Sequence, residues 1–309
     1  MPSYSRRTFL ATTAAATAGL GLPFNATAAT VPDDPLFKIS LAEWSLNRAI
    51  FSGRIDHLDF AAFARDVDID AVEYVNQFFM DKATDKAYLQ QMKQRAEDAG
   101  VRSLLIMCDS EGALGHPEES ERMQAVENHK KWAEAAEFLG CHSIRVNGYT
   151  PGVEDFQESM ALVADGLHRL CEFADGHDLN VIIENHGGLS SNGAWLAAVI
   201  ELADHERAGT MPDFGNFRIG EGESYDSYHG VAQLMPYAPA VSVKPTAWDA
   251  HGEQHPLDYV RMMRIVLDAG YRGYCGIEHG REGEEAVSVR EVKSDLENAR
   301  TVLQSQFQS

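Results

Sequence analysis

Basic charge is scarce in this chain. Its 26 lysines and arginines face 47 aspartates and glutamates, for a formal net charge of −21, and no basic cluster interrupts the acidic excess. A phosphate backbone would be repelled, which argues against a nucleic-acid partner, and the acidic surface reads as a solubility device. Cysteine is also rare, four in 309 residues, with no C-x-x-C pair. Neither a thiolate zinc site nor a dithiol redox motif is encoded. Cys108, Cys141, Cys171 and Cys275 lie in or beside apolar runs and read as small buried hydrophobes, although sequence alone settles no pairing geometry. No Pro/Ser linker, charge block or low-complexity run divides the chain after its first residues, so one domain is expected. With 44% hydrophobic and 24% charged residues it is globular, with a large core.

What is present is organised around NVIIENHGG, residues 180 to 188. The apolar run Val181 to Ile183 reads as a buried strand that ends in Glu184, Asn185 and His186 before two glycines. Three later stretches share that grammar: GTMPDFGNF with Asp213, AVSVKPTAWD with Lys244, and GYCGIEHG with Glu278. In a parallel α/β barrel the strand ends of one polarity converge on one face, so these distant residues are expected to meet.

Earlier in the chain the same alternation holds. FKISLAEWSL (37 to 46) reads as strand one, AVEYV (71 to 75) as strand two with Glu73 inside it, VRSLLIMCD as strand three, and HSIRVNG as strand four with Arg145 and Asn147 on one face. Helical periods follow each strand, several stopping at a glycine such as Gly100, Gly140 or Gly270. Eight strand and helix pairs in strict order imply a single α/β domain, a (β/α)8 TIM barrel spanning residues 29–309.

Glu184, Asp213 and Glu278 are hard oxygen donors at the ends of strands five, six and eight, suited to a divalent cation. Any one of them could instead form a salt bridge or a helix cap. Together, with no cation, they would repel and raise one another's pKa. Oxygen-rich ligation favours Mn²⁺, Mg²⁺ or Co²⁺ over structural zinc. His186 shares the face of Glu184 if the strand persists; the alternative is a histidine in a tight turn. Lys244 would stabilise an enolate or bind a carbonyl oxygen, or simply pair with Asp213 or Glu278. Glu73 reads as a buried functional carboxylate, and Arg145 and Asn147 as hydrogen-bond donors at a strand end. Trp44 and the Phe78–Phe79 pair offer an apolar platform for a ligand ring, or packing.

The amino terminus resembles a twin-arginine export signal over residues 1–28: Arg6 and Arg7, the small apolar ATTAAATAGLGLPF, and Ala26-Thr27-Ala28 as a cleavage site. The resemblance implies a protein exported already folded to the periplasm, or held weakly at the membrane if the signal is retained. No transmembrane segment is expected in the mature chain.

The strings VEYVNQFF, IMCDSEGALG, ENHGGLSS, MPDFGNF, VSVKPTAWD and GYCGIEHG, in this order and spacing, are similar to an exported branch of the xylose-isomerase-like barrel superfamily of sugar isomerases and epimerases. The resemblance covers essentially all of the mature chain. It implies that Glu184, Asp213 and Glu278 ligate a divalent metal and that the two glutamates double as acid and base. Two departures stand out: Ser242 where the superfamily carries a strand-seven histidine, and Asn216 where it carries one three residues after the strand-six Asp, leaving a more open site.

The expectation is a sugar isomerase or epimerase that moves a proton next to a carbonyl, with Glu184, Glu278 and Lys244 catalytic. Glu73, Arg145, Asn147, His186, Asn216 and Trp44 would bind the substrate. A lyase or hydratase on keto-glycosides and a non-catalytic carbohydrate-binding barrel are the alternatives. The partner is a small carbohydrate rather than a sugar phosphate, since no Gly-rich phosphate cradle or Arg pair is evident. A homo-oligomer stays open.

Overall fold

Short buried runs that end in polar groups become the staves of a barrel. The computed structural model describes residues 34–307, so the export signal expected over 1–28 lies outside the described residues. Eight parallel strands form it: β1 (Lys38–Ala42), β2 (Ala71–Val75), β3 (Arg102–Met107), β4 (Ser143–Asn147), β5 (Asn180–Glu184), β6 (Ala208–Met211), β7 (Val241–Val243) and β8 (Tyr274–Ile277). The helices between them are α1 (Phe60–Asp66), α2 (Lys86–Ala99), α3 (Glu119–Leu139), α4 (Phe156–Asp175), α5 (Gly193–Ala203), α6 (Ser227–Leu234) and α7 (Tyr259–Asp268), and α8 (Glu285–Phe307) follows β8. The expected (β/α)8 barrel is what the chain forms. No helix among the described residues is long and apolar enough to cross a membrane.

Local chemistry sets the helix limits. Asp85, Asp155 and Asp258 cap α2, α4 and α7 by accepting first-turn amides. Gly100 and Gly140 end α2 and α3 in the left-handed region, where a side chain would be strained.

The sheet runs β6-β5-β4-β3-β2-β1-β8-β7. It closes through one parallel bridge, Asp213 to Ser242, in which Ser242 N donates to Pro212 O (2.9 Å) and Phe214 N to Ser242 O (3.1 Å). The closing seam therefore passes through two residues singled out from the sequence.

Strand one is shorter than its pattern suggests. It stops at Ala42, and Glu43–Leu46 winds into a 3₁₀ turn. The buried Glu43 carboxylate accepts from Val75 N (3.0 Å) and from His57 Nδ1 (2.5 Å), taking the place a ladder partner would have held.

Most apolar burial lies between staves and helices, around Trp132, Trp195 and Phe60. The barrel interior is a separate small layer of Ala42, Val75, Leu105, Met107, Ile182, Met211 and Ala240. Glu73 projects into this interior, where its Oε1 accepts from Ser40 Oγ (2.7 Å) and its Oε2 has no partner among the described residues. A Cβ on Gly276 would collide with that carboxyl, so the glycine makes room for it. Burial, only partly offset by Ser40, pushes the Glu73 pKa up to about 8. The four cysteines are buried, as the sequence suggested, and none is paired.

Glu73 makes stability depend on pH. Between its ordinary pKa and about 8 the folded state holds a proton that the unfolded state has lost, so stability falls as pH rises through that window. The slope is at most about 1.4 kcal/mol per pH unit. Glu73→Gln removes this dependence: urea denaturation from pH 5 to pH 8 should show the variant gaining on the wild type at each step. A constant difference across that range would contradict a buried protonated carboxyl.

Candidate active site

The strand grammar delivers its carboxylates to one point. Glu184 is the last residue of β5, Asp213 lies two residues beyond β6, and Glu278 follows β8 directly. All three are buried, and one oxygen of each lies within 4.8 Å of the others. Such a cluster is costly in a low-dielectric interior unless cations or donors compensate it.

Two cations do so. Lys244 Nζ sits 2.7 Å from Asp213 Oδ2 and 2.9 Å from Glu278 Oε1, bridging the pair. Arg145 Nε lies 2.9 Å from Glu184 Oε2, and Arg145 Nη1 reaches Asp109 Oδ1 at 2.8 Å. Burial works against the Lys244 ammonium, but Asp213 and Glu278 outweigh it and raise its pKa. Burial raises the Glu184 pKa, with Arg145 and His186 pulling it back.

Neutral donors fix the orientations. Ser242 Oγ lies 2.8 Å from Asp213 Oδ2 and 3.1 Å from Glu278 Oε2, so its one proton serves either carboxylate. Asn216 Nδ2 donates to Glu184 Oε1 (2.9 Å), and the Gly215 and Asn216 amides donate to Asp213 Oδ1 (2.8 Å each). Thus serine and asparagine, standing where the sequence comparison expected histidines, still touch the carboxylates.

Several site residues were not singled out from the sequence. Asn185 clamps β5 to the turn after β6, accepting from Asp213 N (2.7 Å) and donating to Asp213 O (2.9 Å). Ser45 straddles Glu278 by donating to Ile277 O (2.9 Å) and accepting from His279 N (3.0 Å). Asp109 gathers Arg145, Asn147 and Gln77. Burial opposes its ionisation, but Arg145 and the Asn147 amide prevail and hold its pKa at about 2. Asp109 had a signal, since it ends IMCD after strand three in the same way that Glu184 ends strand five. Asn185 stood among the polar groups that end strand five, but its partners, like those of Ser45, lie far along the chain, so neither role could be read.

The other expected residues divide. Arg145, Asn147, Asn216 and Lys244 join the cluster. Glu73 does not: among the described residues its one hydrogen-bond partner is Ser40. His186 is exposed in a turn, its amide donating to Ser190 Oγ (3.0 Å), and β5 does not persist to carry it. Trp44 meets Phe51 and Phe78, with ring centroids 6.1 and 6.0 Å away. Phe79 instead turns into the core against Trp132 and His57.

The donor set fits a divalent cation. Three buried carboxylates supply hard oxygens, and Glu184 Oε2 accepts no aligned hydrogen bond despite its ion pair with Arg145. Asp109, Glu184, Asp213 and Glu278 against Arg145 and Lys244 leave a formal excess of two negative charges.

Removing the Lys244 ammonium would leave Asp213 and Glu278 uncompensated, at a cost of about 3 kcal/mol. Lys244→Met should lose that much stability when metal-free, measured by urea denaturation in a chelating buffer. An unchanged midpoint would mean that the ammonium does not hold the carboxylates together.

A search of curated proteins by sequence finds no match. Solved structures with the same fold include the 3-keto-D-glucoside 4-epimerase of E. coli, at 17% identity and TM-score 0.61, covering 80% of this chain and 94% of that one. An L-ribulose 3-epimerase matches at 13% identity and TM-score 0.64, covering 87% and 97%. A xylose isomerase-like TIM barrel protein from Mycobacterium smegmatis, in complex with magnesium, matches at 15% and 0.63, covering 87% and 97%. At such identities the likeness establishes the fold. A family model described as a xylose isomerase-like TIM barrel matches residues 61–302, most of the length, and the chain belongs to that family.

Proposed function

We propose that the protein is a sugar epimerase or isomerase that moves a proton on and off a carbon next to a carbonyl. The observation that carries this reading is the convergence of Glu184, Asp213 and Glu278 at one buried point, tied to Lys244 and Arg145. Support also comes from the activities of two structural relatives, both sugar epimerases.

Glu184, Asp213 and Glu278 would hold the divalent cation, Mn²⁺ first and Mg²⁺ or Co²⁺ next, whose chemistry when bound is Lewis-acid polarisation of a carbonyl. A relative in complex with magnesium fits that assignment. Burial makes Glu184 a stronger base than a surface carboxylate, and Arg145 and Asn216 fix the direction in which it points. Glu184 removes the C–H proton. Glu278, entering from β8 in its protonated form beside Lys244, gives its own proton to the same carbon from the other face, which yields an epimer, or to the neighbouring carbon as a hydroxyl proton moves between the two oxygens, which yields an isomer; solvent then takes the proton held by Glu184 and replaces the one given up by Glu278. Lys244 offers its ammonium to the negative charge that develops on the carbonyl oxygen. Asn147, Trp44 and the exposed His186 line the approach. A substrate that carries a leaving group β to the carbonyl would undergo elimination on the same residues.

The resemblance of residues 1–28 to a twin-arginine signal supports export of this activity to the periplasm, or a weak hold at the membrane if the signal is retained.

Deuterium wash-in tests the reading. A 3-keto-D-glucoside incubated in D₂O with the manganese-loaded protein should gain deuterium beside the carbonyl, and Glu184→Gln should slow the uptake by ~100-fold or more. Full exchange in that variant would end the acid/base assignment. The serine at position 242 should also make the cation easy to lose: Ser242→His, titrated with Mn²⁺ by calorimetry, should bind ~10-fold tighter or more.

A further inference from the structure

Beside the carboxylates a cavity of about 380 Å³ opens between the loop after β4 and the loop after β5. That volume falls within the ligand-site range of roughly 300–1,000 Å³. Asn147 and His186 form its inner end, and Asn147 is the ladder partner of Glu184, so the cavity starts where the proposed chemistry stops. Tyr149, Thr150, Val153 and Leu189 form the outer walls. A larger cavity, about 590 Å³, lies by Asn180 and Ala208 at the starts of β5 and β6, at the opposite end of the staves.

The walls are of two kinds. Tyr149 is 63% exposed and presents an aromatic surface. Around it stand hydroxyl, amide and imidazole groups, and bare backbone at Gly187 and Gly188, whose positive φ angles (90° and 59°) favour glycine and where a Cβ would meet nothing within 4 Å. An aromatic face ringed by hydrogen-bonding groups matches a sugar ring, which has an apolar face and a hydroxyl rim.

Span decides how many rings are bound. Eight strands about 4.8 Å apart, tilted by about 36°, make a barrel roughly 15 Å across. Trp44, Phe51 and Phe78 stand at the β1 and β2 ends, and in strand order β1 lies opposite β5. A single ring seated on the carboxylates leaves the β4/β5 cavity vacant.

Building on the epimerase reading, we propose that the substrate is a glycoside: the reacting ring lies over Glu184 and Glu278, and a second sugar ring lies in the cavity against Tyr149. The linkage then locks the anomeric carbon as an acetal, so the activating carbonyl is a ring ketone and open-chain aldose–ketose interconversion does not apply. The C–H bond breaks, its proton passes to a carboxylate, and the electron pair enters the enolate. Protonation on the opposite face restores the ketone as its epimer, with no net change in atoms or electrons. An oxidation of a ring hydroxyl to the ketone must supply such a substrate.

The test compares kcat/KM for methyl 3-keto-glucosides with that for 3-keto-maltose and 3-keto-cellobiose, which cover both linkages. One disaccharide should be preferred by roughly tenfold or more, the equivalent of one stacked ring face. Val153→Trp, which fills the cavity, and Tyr149→Ala, which removes its aromatic surface, should each collapse that ratio. Equal rates on methyl and disaccharide substrates, or a preference that survives both variants, would overturn the proposal. Calorimetry with unoxidised maltose and cellobiose separates the two failures. Disaccharide binding that is lost in Tyr149→Ala, in a protein that turns over no keto sugar, would uphold the second-ring subsite and sink the epimerase reading. No binding and no turnover would sink both.

Discussion

Three carboxylates cannot share a buried point without cations, and much of the polar structure at the barrel mouth serves that requirement. Lys244 bridges Asp213 and Glu278, and Arg145 is shared between Glu184 and Asp109. Ser242, Asn216 and the turn amides after Asp213 supply the remaining donors. The arrangement still leaves an excess of negative charge and, among the described residues, a Glu184 oxygen without an aligned donor, a donor set that fits the proposed cation.

The barrel closes where the site is built. β6 and β7 meet only through Asp213 and Ser242, so the residue that completes the sheet also positions a proposed ligand. Placing serine at that seam keeps the hydrogen bonds to Asp213 and Glu278 while giving up an imidazole nitrogen. Below this polar layer the interior is small and mostly apolar, with Glu73 bonded to Ser40 inside it; the raised pKa of that carboxyl and its glycine neighbour mark the passage from packed core to site.

Much of the fold was legible because period and punctuation agree. The buried runs ending at Glu184 and Asn147, and the glycines at 100 and 140, marked their elements within a few residues. The strand read through 37 to 46 failed because the turn at Glu43 depends on His57 and Val75, which no local pattern reveals. The carboxylate trio was legible because all three strand ends follow one rule, and Asp109 obeys that rule as well. The roles of Asn185 and Ser45 were not, because each acts by hydrogen bonds to groups brought near only by folding. Phe78 and Phe79 are adjacent in sequence yet go to mouth and core, a division set by the 3₁₀ turn at Asn76–Phe78.

By itself the sequence determined the order of strands and helices, the barrel that eight such pairs imply, and the acidic identity of the strand ends. These follow from hydrophobic periodicity and from residue type, both local properties. Only the tertiary structure decided which cation faces which carboxylate, that Glu73 sits against Ser40 instead of joining the cluster, and that a cavity lies behind Asn147. Those outcomes depend on distances between residues tens to hundreds of positions apart, and such distances exist only once the sheet has closed.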